Sequence, residues 1–124
     1  MSDLIALTVQ VQPAPDSDLE ELADLTGRLR VELLELDVDA VEPARGTAPG
    51  QAKGVGALLG WLAVQLRTAE ILHTLVTSLR NWARRTDRTV EVSIDGDTLK
   101  ITGATSEQQE QIIRAWLARH ASGA

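Results

Sequence analysis

The sequence has no cysteine, no phenylalanine and no tyrosine among its 124 residues, and each absence removes a class of structure or chemistry. Without cysteine there are no disulfides, no thiolate zinc sites and no cysteine nucleophiles, and the redox compartment is left open. Three tryptophans are the only aromatic residues, so we expect an aliphatic core of Leu, Val, Ile and Ala. The hydrophobic content of 44% is ordinary for a globular protein and argues against global disorder.

Targeting signals are also missing from the printed sequence. The stretch MSDLIALTVQ has no basic residues ahead of an apolar run, so no secretory signal is visible and we expect a cytoplasmic protein. A chain of this length is expected to form one domain. We therefore expect a single domain over 1–124, with a flexible loop at 43–54 and a short tail at 122–124.

Positive charge is scarce in the first third of the chain. Residues 1–42 carry 11 acidic and 2 basic side chains, whereas residues 43–124 carry 7 acidic and 10 basic, which together give the net charge of −6. One interpretation is that the acidic and basic residues lie on the solvated faces of different helices and strands. The other is that the acidic part of one copy meets the basic part of another copy or of a partner.

Alternation of apolar and polar residues predicts the strands. LIALTVQV is a strand with one buried face, and DVDAVEP is a short second strand that ends at Pro43. TVEVSI and DTLKIT flank Asp95-Gly96, the signature of a type I′ hairpin. A two-residue turn would pair residues 90 to 93 with residues 101 to 98, with apolar pairs on one face and polar pairs on the other.

Three- and four-residue spacing of apolar residues predicts three helices. The first runs to about residue 36, with Ser17 and Glu20 as a capping box. A long central helix is expected from Val55 to Arg85, and the third helix follows a cap at Thr105 or Ser106. The predicted fold class is α+β: a small mixed sheet in β-α-β-α-β-β-α order, with a C-terminal hairpin and helices packed on one face.

The stretch KGVGALLGWLAVQL, residues 53–66, has three interpretations. A phosphate-binding loop needs a preceding strand and a terminal Gly-Lys-Ser/Thr, but here Lys53 precedes the glycines and no Ser or Thr follows them. A membrane span needs about 20 apolar residues, and this uncharged run, 54–66, is followed by Arg67 and Glu70. The third interpretation is a helix buried on two sides, against its own sheet and against either a neighbouring helix or a second protein. Gly56 and Gly60 would let another backbone approach closely.

No residue pattern predicts catalysis, a cofactor site or a metal site. His73 in the central helix is expected to be a satisfied or half-exposed core residue rather than a base, and His120 suits a helix C-terminus. Asp95 and Asp97 flank a turn glycine, which is ordinary turn chemistry. Asp37, Asp39 and Glu42 lack the further ligands at spaced positions that a hard cation requires.

The basic segment RNWARRTDR resembles a phosphate-binding surface, but the overall acidity argues against nucleic acid. Arginine also favours planar ion pairs with carboxylates, and the acidic first helix, or its equivalent on another molecule, matches it better. The predicted contact residues lie in the glycine-rich segment, in the basic segment and in the acidic helix: Gly56, Gly60, Trp61, Leu62 and Leu66; Arg80, Trp82, Arg84, Arg85 and Arg88; and Glu20, Glu21, Asp24, Glu32 and Glu35.

Five stretches of the chain carry a family resemblance: LTVQV, DLEELADLTGRLRVELLELDVDAVEPARG, GQAKGVGALLG, LRNWARR and TVEVSIDGDTLKITGATSEQQEQIIRAWLARH. They resemble the effector-associated constant component family of small bacterial conflict-system proteins. The resemblance implies a non-enzymatic component that works beside separately encoded effectors such as trypsin-like proteases, caspase-like proteases or NTPases. Relatives are more apolar where Arg67, Glu70 and His73 stand here, which argues against a membrane role for this copy.

The expected function is therefore an adaptor that self-associates as a homo-oligomer and couples a sensor to an effector. In this expectation the four arginines of the basic segment pair with the acidic helix of a neighbour. Two alternatives are a membrane-associating or pore-forming component acting through an apolar helix over 54–79, and a small enzyme or ligand binder whose site has no sequence signature.

Overall fold

The computed structural model describes residues 4–12, 18–45, 57–103 and 107–120. Five strands form one sheet in the order β2-β3-β1-β4-β5, and every neighbouring pair is antiparallel. Three helices accompany the sheet. The elements in chain order are β1 Ile5–Val11, α1 Leu19–Leu34, β2 Ala40–Arg45, β3 Ala57–Leu66, α2 Ala69–Thr86, β4 Val90–Ile94, β5 Asp97–Ile101 and α3 Glu107–His120.

The predicted α+β class is confirmed, with the helices on one face of the sheet. Leu7, Val9 and Val11 of β1 are buried, whereas the residues between them are not. Along that buried face α1 packs on β2 and β3, α3 packs on β5, and α2 lies between the two helices. The described elements share one aliphatic core, which also encloses Trp82 and Trp116.

The predicted long helix from Val55 to Arg85 is wrong, because residues 57–66 form strand β3. Leu62, Val64 and Leu66 face the core, and the residues between them do not, which is the alternation of a strand. The helix begins only at Ala69, where the Thr68 hydroxyl accepts a hydrogen bond of 3.2 Å from the Ile71 N–H. An apolar run this short is compatible with either a helix or a buried strand. Here it is a strand because it pairs with β1 and β2.

The extra strand changes the predicted order and the type of sheet. The observed order is β-α-β-β-α-β-β-α, and the sheet is antiparallel throughout rather than mixed. Strand β3 lies between β2 and β1, so residues predicted to form a helix above the sheet are part of the sheet itself.

The second strand does not end at Pro43 but continues to Arg45. Pro43 is tolerated because β2 is an edge strand, where a missing N–H costs no ladder hydrogen bond on the open side. A register shift follows between Pro43 and Arg45. The loop predicted at 43–54 therefore begins later, and residues 46–54 lie outside the described residues, as does the tail at 122–124.

The caps of the helices differ in detail from the prediction. Helix α1 is capped by Asp18, whose carboxylate accepts a hydrogen bond of 2.8 Å from the Glu21 N–H, and the helix ends at Leu34. The predicted cap residues Ser17, Thr105 and Ser106 lie outside the described residues.

The hairpin prediction is confirmed in position and register. Asp95 and Gly96 both have positive φ, 51° and 83°, as a type I′ turn requires. Val92 pairs with Leu99, and the hydroxyls of Ser93 and Thr98 lie 2.8 Å apart on the other face.

Candidate protein-contact surfaces

Three of the predicted contact residues are buried in the core. Leu62 and Leu66 of β3 face the helices, and Trp82 of α2 faces the sheet, each with no more than 2% of its surface exposed. The prediction that they contact another molecule is therefore wrong. Their apolar surface is covered by the other layer of the same chain. Apolar residues that a long helix would have exposed belong to strand β3 and so lie within the sheet.

Gly60 does allow a close backbone approach, but the approaching backbone belongs to the same chain. Its φ is +86°, and a Cβ placed there would lie 2.8 Å from the carbonyl oxygen of Val11 and 3.6 Å from the methyl groups of Leu22. Gly60 is thus a packing position between β3, β1 and α1. Gly56 lies outside the described residues.

Three of the four arginines of the basic segment pair within the chain. Arg85 pairs with Glu32, and the mostly buried Arg88 pairs with Glu21, so both join α2 to α1. The sequence predicts that the basic segment attracts the acidic helix, and these pairs form that attraction between two helices of one molecule. Arg85 and Arg88 therefore have partners within the chain, and their expected pairing with a neighbouring copy stays a prediction.

Arg80 forms a third pair, with Glu110 of α3, which joins the other two helices of the layer. Among these helix pairs, only the two that join α1 to α2 connect the acidic first part of the chain to the basic second part, since Arg80 and Glu110 both belong to the second part. Each of these pairs is at least partly exposed, so its contribution to stability is modest.

The remaining charged contact candidates are exposed. Asp24 pairs only with Arg28, one turn along the same helix, at 3.2 Å. Glu20 lies on α1, Glu35 is the C-cap residue of α1, and Arg84 lies on α2; no oppositely charged group among the described residues lies within ion-pair distance of them. These side chains remain available to another molecule.

The second face of the sheet carries no helix of the described residues. Its outward side chains form three rows across the strands, set by the pairing register. Only three of these twelve residues are charged, and most of the others are small. The rows are Glu42, Ala63, Thr8, Ser93 and Thr98 in the middle, Trp61, Gln10, Glu91 and Lys100 on one side, and Ala40, Gln65 and Ala6 on the other. We call this surface the open sheet face.

Trp61 is the large side chain of the open sheet face and is half-buried. Its neighbours across the strands are Gln10 and, beyond it, Glu91. Beside the tryptophan row, a shallow depression of about 290 Å³ is lined by small side chains that include Thr8, Ala63 and Ser93. An aromatic residue beside a small-residue floor is a combination that protein contacts favour.

Both edges of the sheet are interrupted. On β2, Pro43 has no N–H to donate, and Arg30 Nε donates a hydrogen bond of 2.8 Å to the Val41 carbonyl. On β5, the carbonyl of Lys100 accepts from the side chain of Gln109 at 3.4 Å. Such features keep an edge strand from pairing with another chain. The sheet therefore offers a partner its open face rather than an added strand.

A groove runs between α2 and α3 on the helical side. Its volume is about 580 Å³, and its floor is apolar, formed by Val76, Ile113 and Leu117. The walls carry His73, Thr77 and Arg80 on α2 and Glu110, Arg114 and Ala118 on α3, and the ion pair between Arg80 and Glu110 joins the two walls. His73 is therefore an exposed groove residue and not the core residue that the sequence predicts.

Asp97 holds the end of α3 against the hairpin. Its carboxylate accepts hydrogen bonds from Arg119, from Nε at 2.7 Å and from Nη2 at 3.1 Å, and lies 2.6 Å from His120 Nε2. The Trp116 Nε1–H donates to the Asp97 carbonyl at 3.1 Å. The hydrogen bonds from Arg119 and then His120 lower the pKa of Asp97, and the same contact raises the pKa of Arg119. This cluster is a tether between elements.

Asp39, one of the three acidic residues considered as ligands for a cation, pairs with an arginine. Asp39 accepts a hydrogen bond of 2.8 Å from Arg67 Nε, which raises the pKa of Arg67. In the part of the chain that the structure describes, no group of three or more His, Asp or Glu side chains has the arrangement of a metal site.

No helix among the described residues is long and apolar enough to cross a bilayer. The membrane alternative depended on a helix over 54–79, and β3 occupies part of that segment. Comparison with protein-family models, with curated proteins and with solved structures finds no match to this chain.

Proposed function

We propose that this chain is a non-enzymatic adaptor of a bacterial conflict system, which self-associates and couples a sensor to a separately encoded effector such as a protease or an NTPase. The conflict-system part of the proposal depends on the family resemblance of stretches such as LTVQV and LRNWARR. The adaptor part depends on the surfaces of the fold.

The open sheet face is the observation that carries the adaptor role. Cores of protein interfaces are depleted in charge and enriched in aromatic residues. Among its twelve outward residues the charged ones are Glu42, Glu91 and Lys100, and Trp61 lies beside a depression of small side chains whose lining also includes Asp95. Because the edges are interrupted, a partner contacts this face directly.

The paired titratable side chains also support a non-enzymatic role. Asp97 binds Arg119 and lies beside His120, and both partners sit at the end of α3, where they attach it to the hairpin. Arg80 and Glu110 join α2 to α3. In each case the charged groups satisfy one another and connect elements of the fold.

Co-purification with the protease or NTPase encoded beside the gene tests the adaptor role. A tagged chain is expected to retain that effector, and Trp61→Glu is expected to reduce retention at least tenfold, because it replaces the tryptophan of the open sheet face by a charged residue. Gln108→Glu is the matched control, since it adds the same charge at an exposed position of α3 on the other layer.

Two results would contradict this proposal. If the wild-type chain retains none of the effectors encoded beside it, the coupling role is wrong. If Trp61→Glu melts like the wild type and retains the effector fully, the contact surface lies elsewhere on the molecule.

A further inference from the structure

Helix α1 carries an exposed apolar stripe along its outer side. Leu19, Ala23, Gly27, Val31 and Leu34 follow steps of four, four, four and three residues, so they share one side of the helix. All five are exposed, and the three large ones keep between 45% and 68% of their surface in solvent. We call this stripe the α1 ridge.

Acidic side chains border the α1 ridge. Glu20 and Asp24 occupy neighbouring positions on the outer side of the helix, and Glu35 is its C-cap residue. All three are exposed, and Asp24 pairs with the exposed Arg28 one turn along. The ridge is therefore an apolar strip with a negative border. An amphipathic helix of this kind binds by placing its apolar strip in a hydrophobic groove.

The groove between α2 and α3 has complementary properties. Its floor of Val76, Ile113 and Leu117 is apolar, and Arg114 stands on its α3 wall. Arg84 lies on the same side of α2, one turn beyond Arg80 and in line with the groove. No described carboxylate is within ion-pair distance of Arg84 or Arg114, so both cations are available to acidic side chains.

The groove covers part of the length of the ridge. The ridge spans 15 residue steps, roughly 22 Å at 1.5 Å per residue. The α3 wall of the groove runs from Glu110 to Ala118, eight residue steps or roughly 12 Å, so about two turns of the ridge would rest in it. A third helix resting in the groove between two others would lie at the usual separation of packed helices, about 8–10 Å.

The ridge cannot reach the groove of its own molecule. Leu22, Leu29 and Leu33 on the opposite side of α1 are buried against the sheet, over β2 and β3, whereas α3 covers β5 at the other end. The helix that would fill the groove must therefore come from a second copy of the chain. Contact between two different surfaces of identical molecules is heterologous and extends into a ring or a filament.

We infer that copies of this chain assemble head-to-tail, with the α1 ridge of one copy in the α2–α3 groove of the next. This inference rests on the self-association in the proposed function and names the surfaces that produce it. It leaves the open sheet face of each copy free for the effector or the sensor.

A mixing experiment with two surface variants tests the inference by light scattering. Val31→Glu places a charge on the ridge, and Thr77→Glu places one on the groove wall, where it repels the acidic border of the ridge. The wild type is expected to grow beyond a dimer with concentration, and each variant alone is expected to be monomeric. An equimolar mixture is expected to form a heterodimer, because each variant retains the surface that the other lacks. Gln108→Glu, which lies outside the groove, should assemble like the wild type.

The outcomes separate this inference from the proposed function. Oligomers that persist in both folded variants would overturn the head-to-tail arrangement while leaving self-association intact. Variants that are monomeric alone and in the mixture would also overturn it. A wild-type chain that is monomeric at every concentration would overturn self-association itself, whereas effector coupling is tested separately by co-purification with Trp61→Glu.

Discussion

Arg85 near the end of α2 and Glu32 near the end of α1 form an ion pair, although 53 residues separate them in the chain. Together with the pair between Arg88 and Glu21, it attaches the basic part of the sequence to the acidic part. The unequal distribution of acidic and basic residues along the sequence thus partly serves to hold α1 and α2 together within one molecule.

Reversing this pair is expected to lower stability modestly, with recovery in the double variant. Glu32→Arg and Arg85→Glu should each cost about 0.5–1 kcal/mol in urea unfolding, because one member of each altered pair faces a like charge at a partly exposed site. The double variant should regain most of the loss. Asp37→Arg, at an exposed position between α1 and β2 with no described partner, makes the same change of charge as Glu32→Arg and should leave stability unchanged. A change in oligomer mass together with unaltered stability would mean that the pair forms between copies.

Two glycine-to-alanine changes are expected to have opposite signs. Gly60→Ala should destabilise the fold by about 1–3 kcal/mol, because its φ of +86° is strained for alanine and its Cβ would press on the Val11 carbonyl. Gly27→Ala should stabilise by about 0.5–1 kcal/mol, because it lies in the interior of α1 with open space around its Cβ position. Urea unfolding of both variants checks this. Equal effects would show that β3 and β1 are not packed as described.

The Asp97 contacts predict that the free energy of unfolding falls at acid pH. The pKa of Asp97 is lowered in the folded chain, so its contribution is present above the ordinary carboxyl pKa. That contribution is lost as pH falls through the folded pKa. Unfolding free energies measured between pH 6 and pH 2 should therefore fall less steeply in Asp97→Asn and in Arg119→Gln than in the wild type.

The neighbouring turn carboxylate provides the control for that titration. The free energy of unfolding of Asp95→Asn should fall with pH as that of the wild type does. Asparagine tolerates the positive φ of this position, and Asp95 is exposed in the same turn. If Asp97→Asn and the wild type lose stability in parallel, the tether between the hairpin and α3 does not contribute as described.

Tryptophan fluorescence should report on the open sheet face. Trp82 and Trp116 are buried, and Trp61 is half-buried on the open sheet face, so acrylamide should quench one of three tryptophans. Trp61→Phe should abolish the quenchable fraction, and bound effector should protect it in the wild type. Unchanged quenching in the presence of a bound effector would place the contact elsewhere.

Local patterns predicted the elements that depend on neighbouring residues. The Asp95-Gly96 turn and the alternation on both sides of it defined the hairpin and its register, because turn type and pairing are local properties. The first strand and the first and last helices followed in the same way. By contrast, the segment from 57 to 66 is apolar enough for either a strand or a buried helix, and the alternation from Trp61 to Leu66 was the available signal for β3.

The contact surfaces were less accessible from the sequence. The open sheet face brings Thr8, Ala63 and Ser93 together from three strands, and no local pattern shows which strands are neighbours. The ridge on α1 could have been found from the spacing of Leu19, Ala23, Gly27 and Val31. The groove could not, because it requires knowing that α2 and α3 lie side by side.

By itself, the sequence determined the α+β class, the hairpin register, an aliphatic core and the presence of acidic and basic surfaces that attract one another. Only the tertiary structure decided that residues 57–66 are a strand, that Leu62 and Trp82 are hidden, and that Arg85 and Arg88 bind carboxylates of their own chain. The physical reason is that burial and ion pairing depend on residues far apart in the chain, whereas turns, caps and periodicity depend on residues that are close together.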